Sequence, residues 1–381
     1  MIERTVRPLL IQSKRSVLLI GPRQTGKSTL IRSLRPELAI NFAHEPTYLQ
    51  FTRNPLELEE RLKAGTFKSV LIDEVQRLPS LLNTIQSLLD EKTVPVKFYL
   101  TGSSARKLMR GKANLLPGRI HVYSLHPLTC LEIGRKMDLM TALSTGTLPG
   151  IWTETDEKEK TKTLGSYAAT YLKEEIQAEA LTRNIEGFSR FIFVTAALAG
   201  KFLDLAKLAS EAQIPRQSAG RYFEILEDTG IVRRCDSFGK TTWRRLVRSP
   251  RFFFFDTGVL NGLLENFSVS QDRIGMLFEH FIFNQLLDHA SSLGKPMRIS
   301  SYRTEHGAEV DFIVEQGNKV TALEVKASKN VGRSDLRGLK SFSDYYKKKH
   351  NSLIVYLGST VKMVEGIRVL PWAKLFEEVL N

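Results

Sequence analysis

Val17-Leu-Leu-Ile-Gly21-Pro22-Arg23-Gln24-Thr25-Gly26-Lys27-Ser28-Thr29-Leu30 is the stretch that decides the fold. Four β-favouring residues end at Gly21 and a helical pattern opens at Lys27, so it reads as strand, glycine-rich turn and helix start. Backbone N–H groups in such a loop converge at a helix N-terminus and cradle an anion. The spacing G-x-x-x-x-G-K-S gives each residue type a separate job. Residues Gly21 to Thr29 are expected to hold a nucleotide, with Lys27 reaching its outer phosphates and the Ser28 hydroxyl placed to ligand Mg²⁺.

Outward from this loop, strand and helix alternate. Leu30, Ile31 and Leu34 give a helix that stops at Arg35-Pro36, and Leu38 to Phe42 reads as a second strand. The strand Val70-Leu-Ile-Asp73-Glu74 ends in two acids where strand becomes loop, the end that faces the ligand in a parallel sheet. Asp73 there suits Mg²⁺ held through water, and Glu74 suits a group that orients or deprotonates the attacking water. Val96 to Leu100 runs into Thr101-Gly-Ser103-Ser104, either a polar group aimed at the same pocket or ordinary turn chemistry. Arg106, Arg110 and Arg119 follow. Leu116-Pro-Gly-Arg119 sets an arginine on a rigid turn, where it either reaches the γ-phosphate held by a neighbouring subunit or makes a surface ion pair.

Together with Leu125-His-Pro-Leu128, these residues resemble the AAA-type ATPase domain of a large prokaryotic family. Members look like a P-loop ATPase joined to a helical and winged-helix region and then to a restriction-endonuclease-like domain of the PD-(D/E)XK type. The resemblance covers nearly the whole chain. It implies ATP, catalytic roles for Lys27, Ser28, Asp73 and Glu74, a polar sensor at Ser103 or Ser104, and an arginine finger, with a homo-oligomer as its setting.

The chain has 381 residues, 42% hydrophobic and 25% charged, enough for two or three globular domains. Its 55 Lys plus Arg against 41 Asp plus Glu leave +14, which favours a polyanionic partner, DNA before a membrane surface. The longest apolar run, Phe191 to Gly200, is too short to span a bilayer. With no signal-peptide pattern, and with Cys130 and Cys235 far apart and in no metal-ligand spacing, a cytoplasmic protein without disulfides or zinc is expected.

The charged stretch Trp152 to Thr163 has no apolar periodicity and reads as a domain boundary. Helical patterns follow over Leu164 to Gly200, with Tyr167, Tyr171 and Leu172 on one face. Two shorter helices, around Leu205 to Ala212 and Ala219 to Leu226, flank Pro215 and lead to a strand at Ile231, which is winged-helix order. The second helix would expose Arg216, Gln217 and Arg221. Beyond it Arg233, Arg234, Lys240, Arg244, Arg245, Arg248 and Arg251 alternate with Phe238 and Trp243, a pattern suited to a phosphate backbone. A protein-docking role is the alternative, and Phe252 to Phe255 read as a doubly buried strand.

In the last third an amphipathic helix, Ile274 to Leu287, carries Glu279. Then come Glu309-Val-Asp311-Phe-Ile-Val, the turn Gln316-Gly-Asn-Lys319 and Thr321-Ala-Leu-Glu324-Val-Lys326. A two-residue hairpin centred between Gly317 and Asn318 sets Asp311 across from Glu324 and Glu309 across from Lys326. Facing carboxylates repel unless a cation lies between them, and Mg²⁺ or Mn²⁺ on Asp311 and Glu324 is the expectation, with Lys326 stabilising charge on a phosphate. The arrangement resembles the PD-(D/E)XK signature, with Glu279 as the acid from the first helix, although no Pro precedes Asp311.

The expected architecture is α/β throughout: a P-loop ATPase domain over 1–150, a helical and winged-helix region over 151–265, and a nuclease-like domain over 266–381. The expected function is a Mg²⁺-dependent ATPase acting on DNA, with metal-dependent cleavage by the last domain. The alternative is an ATP-controlled regulator whose nuclease-like domain is a catalytically inactive docking module.

Overall fold

A computed structural model describes residues 2–91, 95–103, 116–167, 184–239, 246–247 and 249–380. Ser104, Arg106, Arg110, Tyr171, Leu172, Lys240, Trp243, Arg244, Arg245 and Arg248 lie outside the described residues. The chain divides into two compact units, one of Met1–His126 with Asp228–Ile231 and one of Pro127–Glu227 with Val232–Asn381.

The first unit is built on five parallel strands, β1 (Ser16–Ile20), β2 (Leu38–Asn41), β3 (Ser69–Asp73), β4 (Lys97–Gly102) and β5 (Ile120–Ser124), in the order β2-β3-β4-β1-β5. Alternation along β1 explains why its apolar run is unbroken. Leu18 joins Ile40, Ile72 and Leu100 on one face of the sheet, while Val17 and Leu19 join Leu71 and Tyr99 on the other. With both faces covered, polar groups collect where the strands end, and β1, β4 and β3 deliver Gly21, Ser103 and Asp73 to the same edge.

The second unit carries β6 (Val232–Ser237), β7 (Arg251–Phe254), β8 (Arg298–Arg303), β9 (Glu309–Gln316), β10 (Lys319–Lys326), β11 (Asn351–Tyr356), β12 (Lys362–Val364) and β13 (Ile367–Pro371). They form one sheet in the order β12-β13-β11-β10-β9-β8-β6-β7. Strands β8 to β10 form an antiparallel meander, and the helix Arg337–Tyr346 carries the chain over to β11, parallel to β10. Strand β6 pairs with β8 in parallel, Asp236 beside Ser300 and Ser237 beside Ser301, so the strand pair that follows the two short helices belongs to the same sheet as the last third.

Those short helices are Leu205–Glu211 and Arg216–Asp228. Asp204 caps the first, accepting from the Ala206 and Lys207 N–H groups at 2.9 and 3.0 Å. Tyr222 on the second packs edge-on against Phe188 and Phe191, with ring centroids 5.1 and 5.6 Å away. Its outer face leaves Arg216, Gln217 and Arg221 exposed.

Helices run through the stretch from Trp152 to Thr163 that reads as a domain boundary, namely Pro149–Thr153 and Glu157–Ser166. Asp156 caps the second at the Lys158 N–H (2.8 Å), Lys160 reaches back to Glu157 (2.6 Å), and Leu164 is fully buried. One cap and one anchoring leucine are too little to register as apolar periodicity. The helix Ile274–Ser292 is longer than expected and not amphipathic, since Phe278, His280, Phe281, Phe283, Leu286 and His289 are all buried. It lies under β7, whose phenylalanines Phe252 to Phe254 are core together with Phe255 just beyond the strand, with Phe253 stacked on Phe283 at 4.3 Å. Burial pushes the His280 and His289 imidazoles down to about 4.

Candidate functional site

The loop after β1 owes its shape to residues that tolerate unusual backbone angles. A Cβ on Gly21 would lie 2.1 Å from the Leu125 carbonyl oxygen, and Gly26 opens the helix Lys27–Arg32 at φ 90°. Within the loop Pro22 and Thr25 are buried, Arg23 is half-buried, and Gln24 and Thr29 are exposed. Thr25 Oγ1 donates to the Pro22 carbonyl at 2.9 Å. The Thr25 carbonyl in turn accepts from Arg4 Nη1 at 2.7 Å, while Arg4 Nη2 donates to the His126 carbonyl at 2.6 Å. Arg4 thus braces the loop from outside it. Lys27 is buried, and its Nζ donates to the Gly21 and Pro22 carbonyls, each at 2.8 Å.

Ser28 Oγ donates to Asp73 Oδ1 at 2.6 Å, and Thr101 Oγ1 donates to the same oxygen. Arg32 stands 3.4 Å from Asp73 Oδ2 with most of its side chain in solvent. Glu74 has φ 60°, a left-handed turn that takes it off the line of β3. Its N–H donates to Thr101 Oγ1 (3.1 Å), and its carboxylate accepts from Gln76 Nε2, which also donates to Ser103 Oγ at 3.2 Å. Lys27, Ser28, Asp73, Glu74 and Ser103 are therefore gathered at one sheet edge, joined by Thr101 and Gln76. A hydroxyl and a carboxylate within 2.6 Å of each other, above a glycine loop, fit a hard cation and the phosphates it accompanies. Arg119 makes a bidentate pair with Asp90, Nη2 to Oδ2 at 2.9 Å, and this hydrogen bond holds the Asp90 carboxyl below its ordinary value.

In the second unit the β9–β10 register pairs Phe312 with Leu323, and one step further sets Asp311 beside Glu324. Asp311 Oδ2 accepts from the Val325 N–H at 2.7 Å, and Lys326 Nζ lies 2.8 Å from Glu324 Oε1. Glu279 reaches the same place from the helix Ile274–Ser292. The four expected residues are together, but a fifth is with them. Arg251, the first residue of β7 and 5% exposed, places Nη1 2.5 Å from Glu279 Oε1 and 4.0 Å from Asp311 Oδ1.

Burial raises the Asp311 carboxyl well above its ordinary value, helped by the charges of Glu279 and Glu324. Burial also acts to raise Glu279, yet the Arg251 charge and hydrogen bond outweigh it and hold that carboxyl low. Among the described residues, no group of three or more His, Cys, Asp or Glu is arranged to hold a metal ion. Asp311 and Glu324, the pair expected to hold Mg²⁺ or Mn²⁺, stand together here with Arg251 and Lys326 as their neighbouring cations. The cation beside these acids is a guanidinium from a strand whose place the local sequence does not announce.

A parallel sheet with a phosphate loop on one strand, and an acid pair on another, defines the class: residues 13–134 match a family model described as an AAA domain, and this part of the chain is an AAA-type P-loop ATPase domain. That class implies ATP, with Mg²⁺, and an ATPase-type hydrolase. Residues 136–270 and 274–375 match two families described as domains of unknown function, DUF8612 and DUF4143. The chain is 27% identical over 317 residues to uncharacterized proteins of Mycobacterium tuberculosis and Mycobacterium bovis, covering 81% of this chain and 70% of each of theirs. Among solved structures, the replication initiator DnaA bound to AMPPCP and single-stranded DNA is 14% identical, covering 58% of this chain and 86% of that one at a TM-score of 0.28. Can2 from Sulfobacillus thermosulfidooxidans, in complex with cyclic tetra-adenylate, is 8% identical over 98% of each chain at a TM-score of 0.22. Both structural likenesses are slight. Among the described residues, no helix is long and apolar enough to cross a membrane.

Proposed function

We propose that the protein is a Mg²⁺-dependent ATPase that couples ATP hydrolysis to DNA binding, with a second unit that docks and does not cut. The observation that carries the first part is the Ser28–Asp73 contact of 2.6 Å beside the Gly21 to Lys27 loop, with Glu74 next in sequence. Lys27 would bind the outer phosphates, and Ser28 and Asp73 would hold Mg²⁺, directly and through water. When bound, Mg²⁺ would neutralise charge developing on the phosphates. Glu74 would orient the attacking water and take its proton, while Gln76 and Ser103 fix the carboxylate.

Supporting DNA as partner are the +14 charge and a helix–turn–helix whose second helix exposes Arg216, Gln217 and Arg221. A winged-helix reading of this region accords with that order of elements. The basic segment from Arg233 to Arg251 would add phosphate contacts in part only, because Arg233 is paired with Asp288 at 2.7 Å and Arg251 with Glu279. The restriction-endonuclease-like reading of the last third rests on Glu279, Asp311, Glu324 and Lys326 standing together. The Arg251 pairing favours its inactive form.

ATP turnover and DNA binding over a salt series test this. Lys27→Ala should reduce turnover at least about a hundredfold. Glu74→Gln should keep ATP binding yet slow hydrolysis by about 10²–10³-fold. Arg216→Ala with Arg221→Ala should lower the log–log salt slope of DNA binding by about two. Wild-type turnover in Glu74→Gln would remove Glu74 from the chemistry, and DNA affinity flat across salt would turn the second unit into a protein-docking module.

A further inference from the structure

We infer that the acidic cluster of the second unit, Glu279, Asp311 and Glu324, is closed to divalent metal by its own arginine: Arg251 supplies, as a fixed part of the chain, the positive charge that a cation would bring. This rests on the reading of the second unit as catalytically silent and gives that silence a cause.

Arg251 is held from several sides. Its Nε donates to the Gly200 carbonyl at 2.7 Å, its Nη1 meets Glu279 at 2.5 Å, and its guanidinium carbon lies 5.2 Å from the Phe253 ring centre and 5.9 Å from that of Phe312. Its backbone is fixed as well, through the pairing of Arg251 with Cys235 and a bridge to Phe202. A guanidinium so tethered cannot leave without giving up the carbonyl, the carboxylate and both rings at once.

One oxygen of each carboxylate also faces a positive group or a backbone N–H, while Glu324 Oε2 is buried without a hydrogen-bond partner among the described residues. Glu279 Oε1 faces Arg251, Asp311 Oδ2 faces the Val325 N–H, and Glu324 Oε1 faces Lys326. Mg²⁺ and Mn²⁺ ask for about six oxygens in regular array, and here three carboxylates have each committed one. Any ion entering would sit within a few ångströms of two positive charges, the buried Arg251 and the partly exposed Lys326, and repulsion from the first is poorly screened. Arg251 and Lys326 lie among Glu279, Asp311 and Glu324, and the neighbouring Glu309 has Arg303 at 3.8 Å, so cations of the chain already stand beside these acids.

The test is Mn²⁺ binding followed by electron paramagnetic resonance on the full chain without nucleotide, a readout separate from ATP turnover and DNA cleavage, so the inference and the functional reading can fail independently. Wild type and Asp311→Asn should bind Mn²⁺ alike. Arg251→Met, which keeps most of the stem and removes the charge, should bind about one further Mn²⁺ per chain, at least about tenfold tighter than wild type, and lose it again when Asp311→Asn is added. A wild-type Mn²⁺ that disappears in Asp311→Asn would overturn the inference, as would a folded Arg251→Met that gains none. Should Arg251→Met not fold, the comparison of wild type with Asp311→Asn decides alone.

Discussion

Asp73 at the end of β3 and Asp311 on β9 are both strand aspartates beside a second acid, yet their surroundings differ in kind. Asp73 receives hydrogen bonds from the hydroxyls of Ser28 and Thr101, and Arg32, 3.4 Å from its other oxygen, has a side chain 57% exposed. Asp311 and its neighbour Glu279 share a guanidinium whose side chain is 6% exposed. Hydroxyls can hand an aspartate to a metal by turning, at small cost, because water can replace them. A buried guanidinium cannot be replaced in this way, since removing it leaves an uncompensated charge out of water. Two similar acid pairs in one chain are thus neutralised in different ways, by hydroxyls at Asp73 and by a buried guanidinium at Asp311.

The contrast breaks most easily at the arginines. Arg251→Met should destabilise the second unit by about 3–5 kcal/mol, the usual cost of breaking a buried pair, whereas Arg32→Met should change the stability of the first unit by less than about 1 kcal/mol. Urea unfolding of the two variants measures both, and equal effects would erase the distinction. A middle-sized effect is expected from His289, whose ring packs tilted against Phe376 and whose ring nitrogens have no hydrogen-bond partner among the described residues. Its imidazole is pushed down to about 4, so the stability it contributes is present above about pH 6.5 and is lost as pH falls toward 4. His289→Leu should therefore gain on wild type by up to about 2 kcal/mol between pH 7.5 and pH 5, read as the difference between two denaturation curves at each pH. A constant gap would mean that the folded protein accepts the proton freely.

The smallest effect is expected at Arg119. Paired with Asp90 on the surface, it should leave the melting midpoint unchanged in Arg119→Ala. A turnover defect in that variant, rescued by mixing it with Lys27→Ala chains, would assign it the part of an arginine finger between subunits.

What the sequence disclosed and what it withheld divide along the same line. Gly21, Gly26, Lys27 and Ser28 were legible because a phosphate loop makes its demands within eight residues. The hairpin register was legible because a two-residue turn at Gly317 and Asn318 determines which side chains face each other. Arg251 was visible only as one more basic residue in a basic stretch. Its position beside Glu279 depends on β6 pairing with β8, a long-range contact with no local signal. Arg4 and Gln76 were missed for a related reason, because a side chain that braces a backbone carbonyl or another side chain leaves no spacing to read. The buried helix Ile274–Ser292 misled because polar residues in a helix are ordinarily taken to mark an outer face, whereas here His280 and Asn284 spend their polarity on the Phe254 carbonyl.

The parallel pairing of Asp236 with Ser300 and Ser237 with Ser301 also sets an order of events during synthesis. Strands β6 and β7 leave the ribosome well before β8, β9 and the hairpin that follows, so they have no sheet to join until the last third of the chain has appeared. During that interval the phenylalanines of β7 lack their partner Phe312, and Arg251 lacks Asp311. Contacts so distant in sequence form slowly and leave apolar strands exposed meanwhile. The first unit has its five strands complete by Ser124 and lacks only Asp228–Ile231, so nascent chains should pass through a stage in which its parallel sheet is formed and the second unit is still waiting for its final strands.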